Sequence, residues 1–83
     1  MKGYFKRQNI KKKFSEKQLE SVIKRLFEFH PDMAFSYKRL IKLYGQHGEE
    51  KVQKILTRLL VQEFLIKFRY GTNSIYVKNP FKR

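Results

Sequence analysis

The sequence predicts a small α+β domain in which three short helices are followed by a β-hairpin. Three observations carry this expectation. Apolar residues recur at helical spacing in three successive stretches. From Phe64 onward the spacing changes to strand alternation, broken by a turn cluster and then resumed. A length of 83 residues suffices for one core and leaves no room for a second domain.

The first helix is expected over about 16–29. Ser15 is its N-cap, and Gln18 three residues later completes a capping box. Phe14 and Leu19 hold the two positions of a hydrophobic staple. Leu19, Val22, Ile23, Leu26 and Phe27 then fall on one face of the helix. Pro31 ends it, because the residue before a proline is pushed out of the α region. Met33, Ala34 and Phe35 form a brief apolar run with the character of a short strand. Ser36 caps a second helix whose inner face is Tyr37, Leu40, Ile41 and Tyr44. Gly45 is expected to close that helix in the left-handed C′ position. Gln46 to Gly48 read as a turn. The third helix starts near Glu49 and runs to about Gln62, with two acids in its first turn to complement the macrodipole. Its core stripe is Val52, Ile55, Leu56, Leu59 and Leu60.

In the hairpin, Phe64, Ile66, Phe68 and Tyr70 alternate with Leu65, Lys67 and Arg69. Leu65 breaks strict alternation and reads as the last core residue before the hairpin proper. Gly71, Thr72, Asn73 and Ser74 are turn residues, which implies a loop of about four residues. Ile75, Tyr76 and Val77 supply the return strand, and Asn79 and Pro80 end it. The domain therefore spans 15–79, between a basic flexible arm at 1–14 and a short basic tail at 80–83.

Lysine and arginine number 20 against 7 acids, a net charge of +13. Self-repulsion of that size destabilises a small compact domain, and a polyanion relieves it. Nucleic acid is the expected partner. An anionic membrane, an acidic protein surface or a role in solubility alone are weaker readings. The absence of cysteine excludes disulfides and thiolate metal sites. No apolar run reaches the length of a signal peptide or a bilayer span. A soluble intracellular protein, cytoplasmic or nucleoid-associated, is expected. Catalysis is not. His30 and Asp32 flank Pro31, and His47 lies near Glu49, but neither pair has metal-ligand spacing on a rigid element. Both histidines read as dipole partners at helix ends, and Ser15 and Ser36 are accounted for as caps. No glycine-rich phosphate loop follows a strand. No cofactor, metal or small-molecule substrate is expected.

The order of elements over about 15–78 resembles the winged-helix family of helix-turn-helix proteins. The resemblance implies a third helix that enters the major groove and a hairpin wing that touches the backbone or minor groove. By position, the reading face of the third helix is Lys51, Gln53, Lys54, Thr57 and Arg58. Glutamine suits adenine edges, threonine the thymine methyl, and lysine and arginine phosphate or guanine. The wing corresponds to 67–78, with Lys67, Arg69, Asn73 and Lys78 as contacts. The second helix adds Lys38, Arg39 and Lys42, and the arm adds Lys11, Lys12 and Lys13. Glu49 and Glu50 depart from the pattern, because carboxylates repel phosphates where a reading helix meets the groove. Either they stabilise the helix end while pointing aside, or binding runs through the second helix, the wing and the arm. Residues 64–83 hold five basic residues and no acid, which favours the hairpin region. Tyr70 and Tyr76 suit either cross-strand packing or base stacking. Lys17, Lys24 and Arg25 lie among Glu16, Glu20 and Glu28 as a solvated face, which leaves the opposite side more positive.

A narrower resemblance rests on the run Leu26-Phe27-Glu28-Phe29-His30-Pro31 ahead of Phe35-Ser36-Tyr37-Lys38, and on Leu59-Leu60-Val61-Gln62-Glu63-Phe64-Leu65 ahead of the hairpin. Both are similar to the N-terminal winged-helix domain of ribonuclease R enzymes, which implies an RNA-handling accessory module. The expected function is non-catalytic nucleic-acid binding, foremost of duplex DNA in transcriptional or replication regulation. The ribonuclease accessory role and a protein-interaction module, with Val61, Phe64 and Phe81 as its apolar patch, are the alternatives. No extra dimerisation helix is visible, so a monomer is the default.

Overall fold

Ser15 opens the first helix as expected. In the computed structural model, which describes residues 13–81, its Oγ accepts from the Gln18 N–H and Gln18 Oε1 accepts from the Ser15 N–H, at 3.2 and 2.9 Å. This helix, α1, covers Glu16–Phe29 and closes when the His30 N–H reaches the Leu26 carbonyl. A two-residue strand, β1 (Phe35–Ser36), follows, one step later than the centre of the apolar run that announced it. Ser36 also caps α2 (Tyr37–Tyr44), its Oγ accepting from the Arg39 N–H at 3.1 Å. A 3-10 turn over Gly45–His47 leads to α3 (Glu49–Val61). The strands β2 (Leu65–Tyr70) and β3 (Asn73–Lys78) complete the described chain.

The architecture is three helices and a three-stranded antiparallel sheet of order β1-β3-β2. Phe35 pairs with Tyr76 and Ser36 with Ile75, so β1 ties the segment after α1 to the far strand of the hairpin. Both α1 and α2 pack on α3, while the sheet closes the core against α2 and α3. Leu19, Ile23 and Phe27 of α1, Leu40 of α2 and Val52, Ile55, Leu56 and Leu59 of α3 are fully or almost fully buried. Phe35, Leu65 and Tyr76 extend this core into the sheet. Phe27 meets Phe35 edge to face, with ring centroids 5.2 Å apart. The helical stripes are therefore core, as their spacing requires.

Three local expectations need correction. Gly45 is right-handed (φ −62°), not left-handed. The chain runs from α2 straight into the 3-10 turn, and the reversal falls three residues later at Gly48 (φ 119°). What Gly45 supplies is room: a Cβ there would stand 3.1 Å from Ile41 Cγ2. Second, the hairpin loop has two residues, not four. Tyr70 pairs with Asn73, leaving Gly71 and Thr72 as the turn, with Gly71 at φ 64°. Positive φ at the first central position matches the twist of the flanking strands. Third, Leu65 does not precede the hairpin but begins its first strand, buried and opposite Lys78.

The cause of the third lies at the end of α3. The Phe64 N–H reaches the Leu59 carbonyl at 2.9 Å and the Glu63 N–H the Leu60 carbonyl at 3.0 Å. That is a Schellman closure with Glu63 (φ 64°) in the left-handed position that glycine usually takes. Phe64 thus belongs to the helix end rather than to the strand. Counting from Leu65, the inner face carries Leu65, Lys67 and Arg69 with Tyr76 and Lys78, of which Leu65 and Tyr76 are buried in the core, while Ile66, Phe68 and Tyr70 lie on the outer face.

Candidate nucleic-acid interface

Acids and bases are distributed unequally over the elements. Glu16, Glu20 and Glu28 lie on α1, and Glu49 and Glu50 open α3. Neither α2 nor any of the three strands contains an acid, and α2 packs directly on β3. Lys38, Arg39 and Lys42 are exposed on α2 and line a shallow depression with Leu43. Lys67, Arg69 and Asn73 are exposed on the hairpin. Lys78 is half-buried, with its Nζ 5.5 Å from the centroid of the Phe64 ring; Lys24 of α1 covers the same ring at 5.2 Å.

The anticipated reading face of α3 is largely engaged within the protein. Arg58 bridges Glu16 and Glu20 of α1, one guanidinium nitrogen to each carboxylate. Its hydrogen bond holds the Glu16 carboxyl below the usual range, and the two acids push the Arg58 pKa up. Gln53 Nε2 donates to the Tyr37 hydroxyl oxygen at 2.7 Å, and that hydroxyl donates to Glu49 Oε2 at 3.3 Å. Glu49 is thereby drawn toward α2, while Glu50 is exposed. Lys51 Nζ donates to the Phe14 carbonyl at 3.3 Å. Of the five, Lys54 and Thr57 are exposed and make no such hydrogen bond, although Lys54 lies near enough to Glu16 to help hold its carboxyl down. Together with Gln53 and Arg58 they line a second shallow depression.

Lys11 and Lys12 lie outside the described residues; Lys13 is exposed at their border. Next to it the chain is anchored rather than free. Phe14 is half-buried, its ring stacked on His47 at 4.3 Å with the planes 4° apart. The Phe14 N–H donates to His47 Nδ1 at 3.0 Å. His47 is buried, with Nε2 beside Gln46 Nε2 at 3.3 Å. His47 closes the 3-10 turn, the helix-end position expected of it, and it is also the docking point for the start of the domain. Nothing in the spacing of His47 and Phe14 signals this, because the two are far apart in sequence.

The aromatic residues separate in the structure. Tyr37 and Tyr44 are half-buried, as their helical positions imply, and burial raises the Tyr44 pKa. Tyr76 is buried in the sheet, which raises its phenol pKa, with Tyr37 adding to the rise. Tyr70 is 75% exposed. Of the apolar trio considered for protein docking, Val61 and Phe81 are exposed, whereas Phe64 packs on the core beneath its two lysines.

Among the described residues, no group of three or more His, Cys, Asp or Glu is placed to hold a metal ion, and no helix is long and apolar enough to cross a membrane. No protein-family model matches the chain, and neither a curated protein nor a solved structure is significantly similar to it.

Proposed function

We propose that this chain is a non-catalytic nucleic-acid-binding domain of winged-helix type, gripping phosphates through α2 and the hairpin. One observation carries the reading: the elements without acid, α2 and the sheet, pack together and present Lys38, Arg39, Lys42, Lys67 and Arg69 to solvent. An exposed cation that holds no carboxylate gives up only water and counterions on meeting a phosphate. The order of elements and the β1-β3-β2 sheet support the winged-helix assignment. In such a fold the β2–β3 hairpin is the wing. The engagement of Arg58, Gln53 and Lys51 shifts the proposed contact away from α3. Binding of this kind is positional rather than sequence-reading, since phosphates carry no sequence information.

Duplex DNA is the first probe, titrated at several salt concentrations. About five phosphate contacts predict a slope of log K against log salt near −4 to −5. A slope near zero would remove the electrostatic footprint and the function with it.

A further inference from the structure

The outer face of the hairpin carries side chains that phosphate binding does not use. Ile66, Phe68 and Tyr70 of β2 share it with Ile75 and Val77 of β3. Ile66, Ile75 and Val77, nearer the body, are half-buried. Toward the turn, Phe68 is 53% exposed and Tyr70 75%. The two rings stand on one face roughly 7 Å apart along the strand. Their strand is at the edge of the sheet, so they are open from the side as well as from above. Lys67 and Arg69 alternate with them and are also exposed. No acid lies anywhere in 64–83.

These features restrict what covers the rings. A ribbon with cations and no acid, on a chain of net charge +13, favours a polyanion over an electrically neutral surface and disfavours a second copy of itself. A polyanion that also offers flat apolar faces at each repeat is single-stranded nucleic acid. Base–aromatic stacking tolerates any sequence, because every base has a π-face. A continuous duplex keeps its base faces inside the stack and offers this ribbon only phosphates and groove edges.

Building on the nucleic-acid reading above, we propose that Phe68 and Tyr70 form a stacking platform for unpaired bases, with Lys67 and Arg69 taking the adjoining phosphates. The long stems of the two cations let their heads reach the rim of the ribbon from the inner face. The domain then prefers a strand with unpaired bases, DNA or RNA, to a blunt duplex of equal charge.

The test is fluorescence anisotropy with the full chain and three labelled probes: single-stranded DNA and single-stranded RNA of about a dozen nucleotides, a length that spans one small binding site, and a blunt DNA duplex of the same length. Replacing Phe68 and Tyr70 together by alanine is expected to weaken both single strands roughly tenfold or more per ring and to leave the duplex affinity unchanged. Tyr70→Phe keeps the ring and is expected to keep the affinity. Tyr70→Trp adds a reporter at an exposed site, whose emission falls when a base stacks on it, so the proposal does not depend on the double variant folding. Unchanged single-strand binding in the double variant overturns the platform and leaves phosphate binding standing; so does an equal loss on all three probes. Failure of the unaltered chain to bind any probe overturns the nucleic-acid reading itself. Self-association that disappears in the double variant assigns the rings to a second copy of the chain and overturns base stacking.

Discussion

The α1–α3 flank and the α2–hairpin flank are both rich in lysine and arginine, yet they use them differently. On the first, Arg58 is held by Glu16 and Glu20, and Lys51 by a backbone carbonyl. These cations join parts of the chain that lie far apart in sequence. On the second, no acid stands on α2 or on any strand, Lys38, Arg39, Lys42, Lys67 and Arg69 are exposed, and the hairpin also carries two exposed rings. The difference shows that a count of positive residues does not locate a binding surface. A cation already holding a carboxylate must exchange that partner to reach a phosphate, whereas one surrounded by water has only water and ions to release.

The largest expected effect tests the second flank. Replacing Lys38, Arg39 and Lys42 together by glutamine should weaken duplex binding about a hundredfold at low salt and flatten the salt slope by roughly 2 to 3. Thermal melting should change little, because these side chains are exposed on α2. Unaltered affinity would erase the distinction between the flanks.

A smaller effect is expected on the first flank. Arg58→Gln should lower the melting temperature modestly and leave duplex affinity within about twofold, the reverse of the α2 variant. Its pH dependence sharpens the comparison. Because Arg58 holds the Glu16 pKa below its unfolded value, the link stabilises the fold above the ordinary carboxylate range. That stabilisation is lost as pH falls through the lowered value. Melting curves of the parent and Arg58→Gln proteins should therefore converge in acid, and a gap independent of pH would mean that Arg58 acts through packing alone.

The smallest effect concerns the joint between the flanks, where α3 turns into β2. Glu63→Gly removes a left-handed strain of about 1–2 kcal/mol and adds back some unfolded-chain entropy. Glu63 also has an interaction to lose, so a net change of no more than about 1 kcal/mol in urea denaturation is expected. A loss would show that the Glu63 side chain contributes more than its backbone strain costs.

Much of the fold was legible because its signals are local. The Ser15 and Ser36 caps, the three buried stripes and the strand pair each depend on residues within a few positions of one another. Local signals mislead where one residue fits two roles. Gly45 resembles a left-handed helix end, but its service is a close approach to Ile41. The alternation from Phe64 looked continuous because a helix-ending residue happens to be in phase with the strand after it. For the candidate site, the lysines of α2 and the hairpin were visible as types. The engagement of Arg58, Gln53 and Lys51 was not, since each partner lies 16 to 42 residues away along the chain.

The sequence by itself determined the helices, the hairpin and the excess of positive charge, because periodicity, capping and composition act over short range or over the whole chain at once. Only the tertiary structure decided which cations are tied to carboxylates, how Phe14 docks on His47, and which tyrosine of the hairpin is buried. Those outcomes depend on which surfaces the packing of α1, α2 and the sheet on α3 brings together, and no short stretch of sequence contains that information.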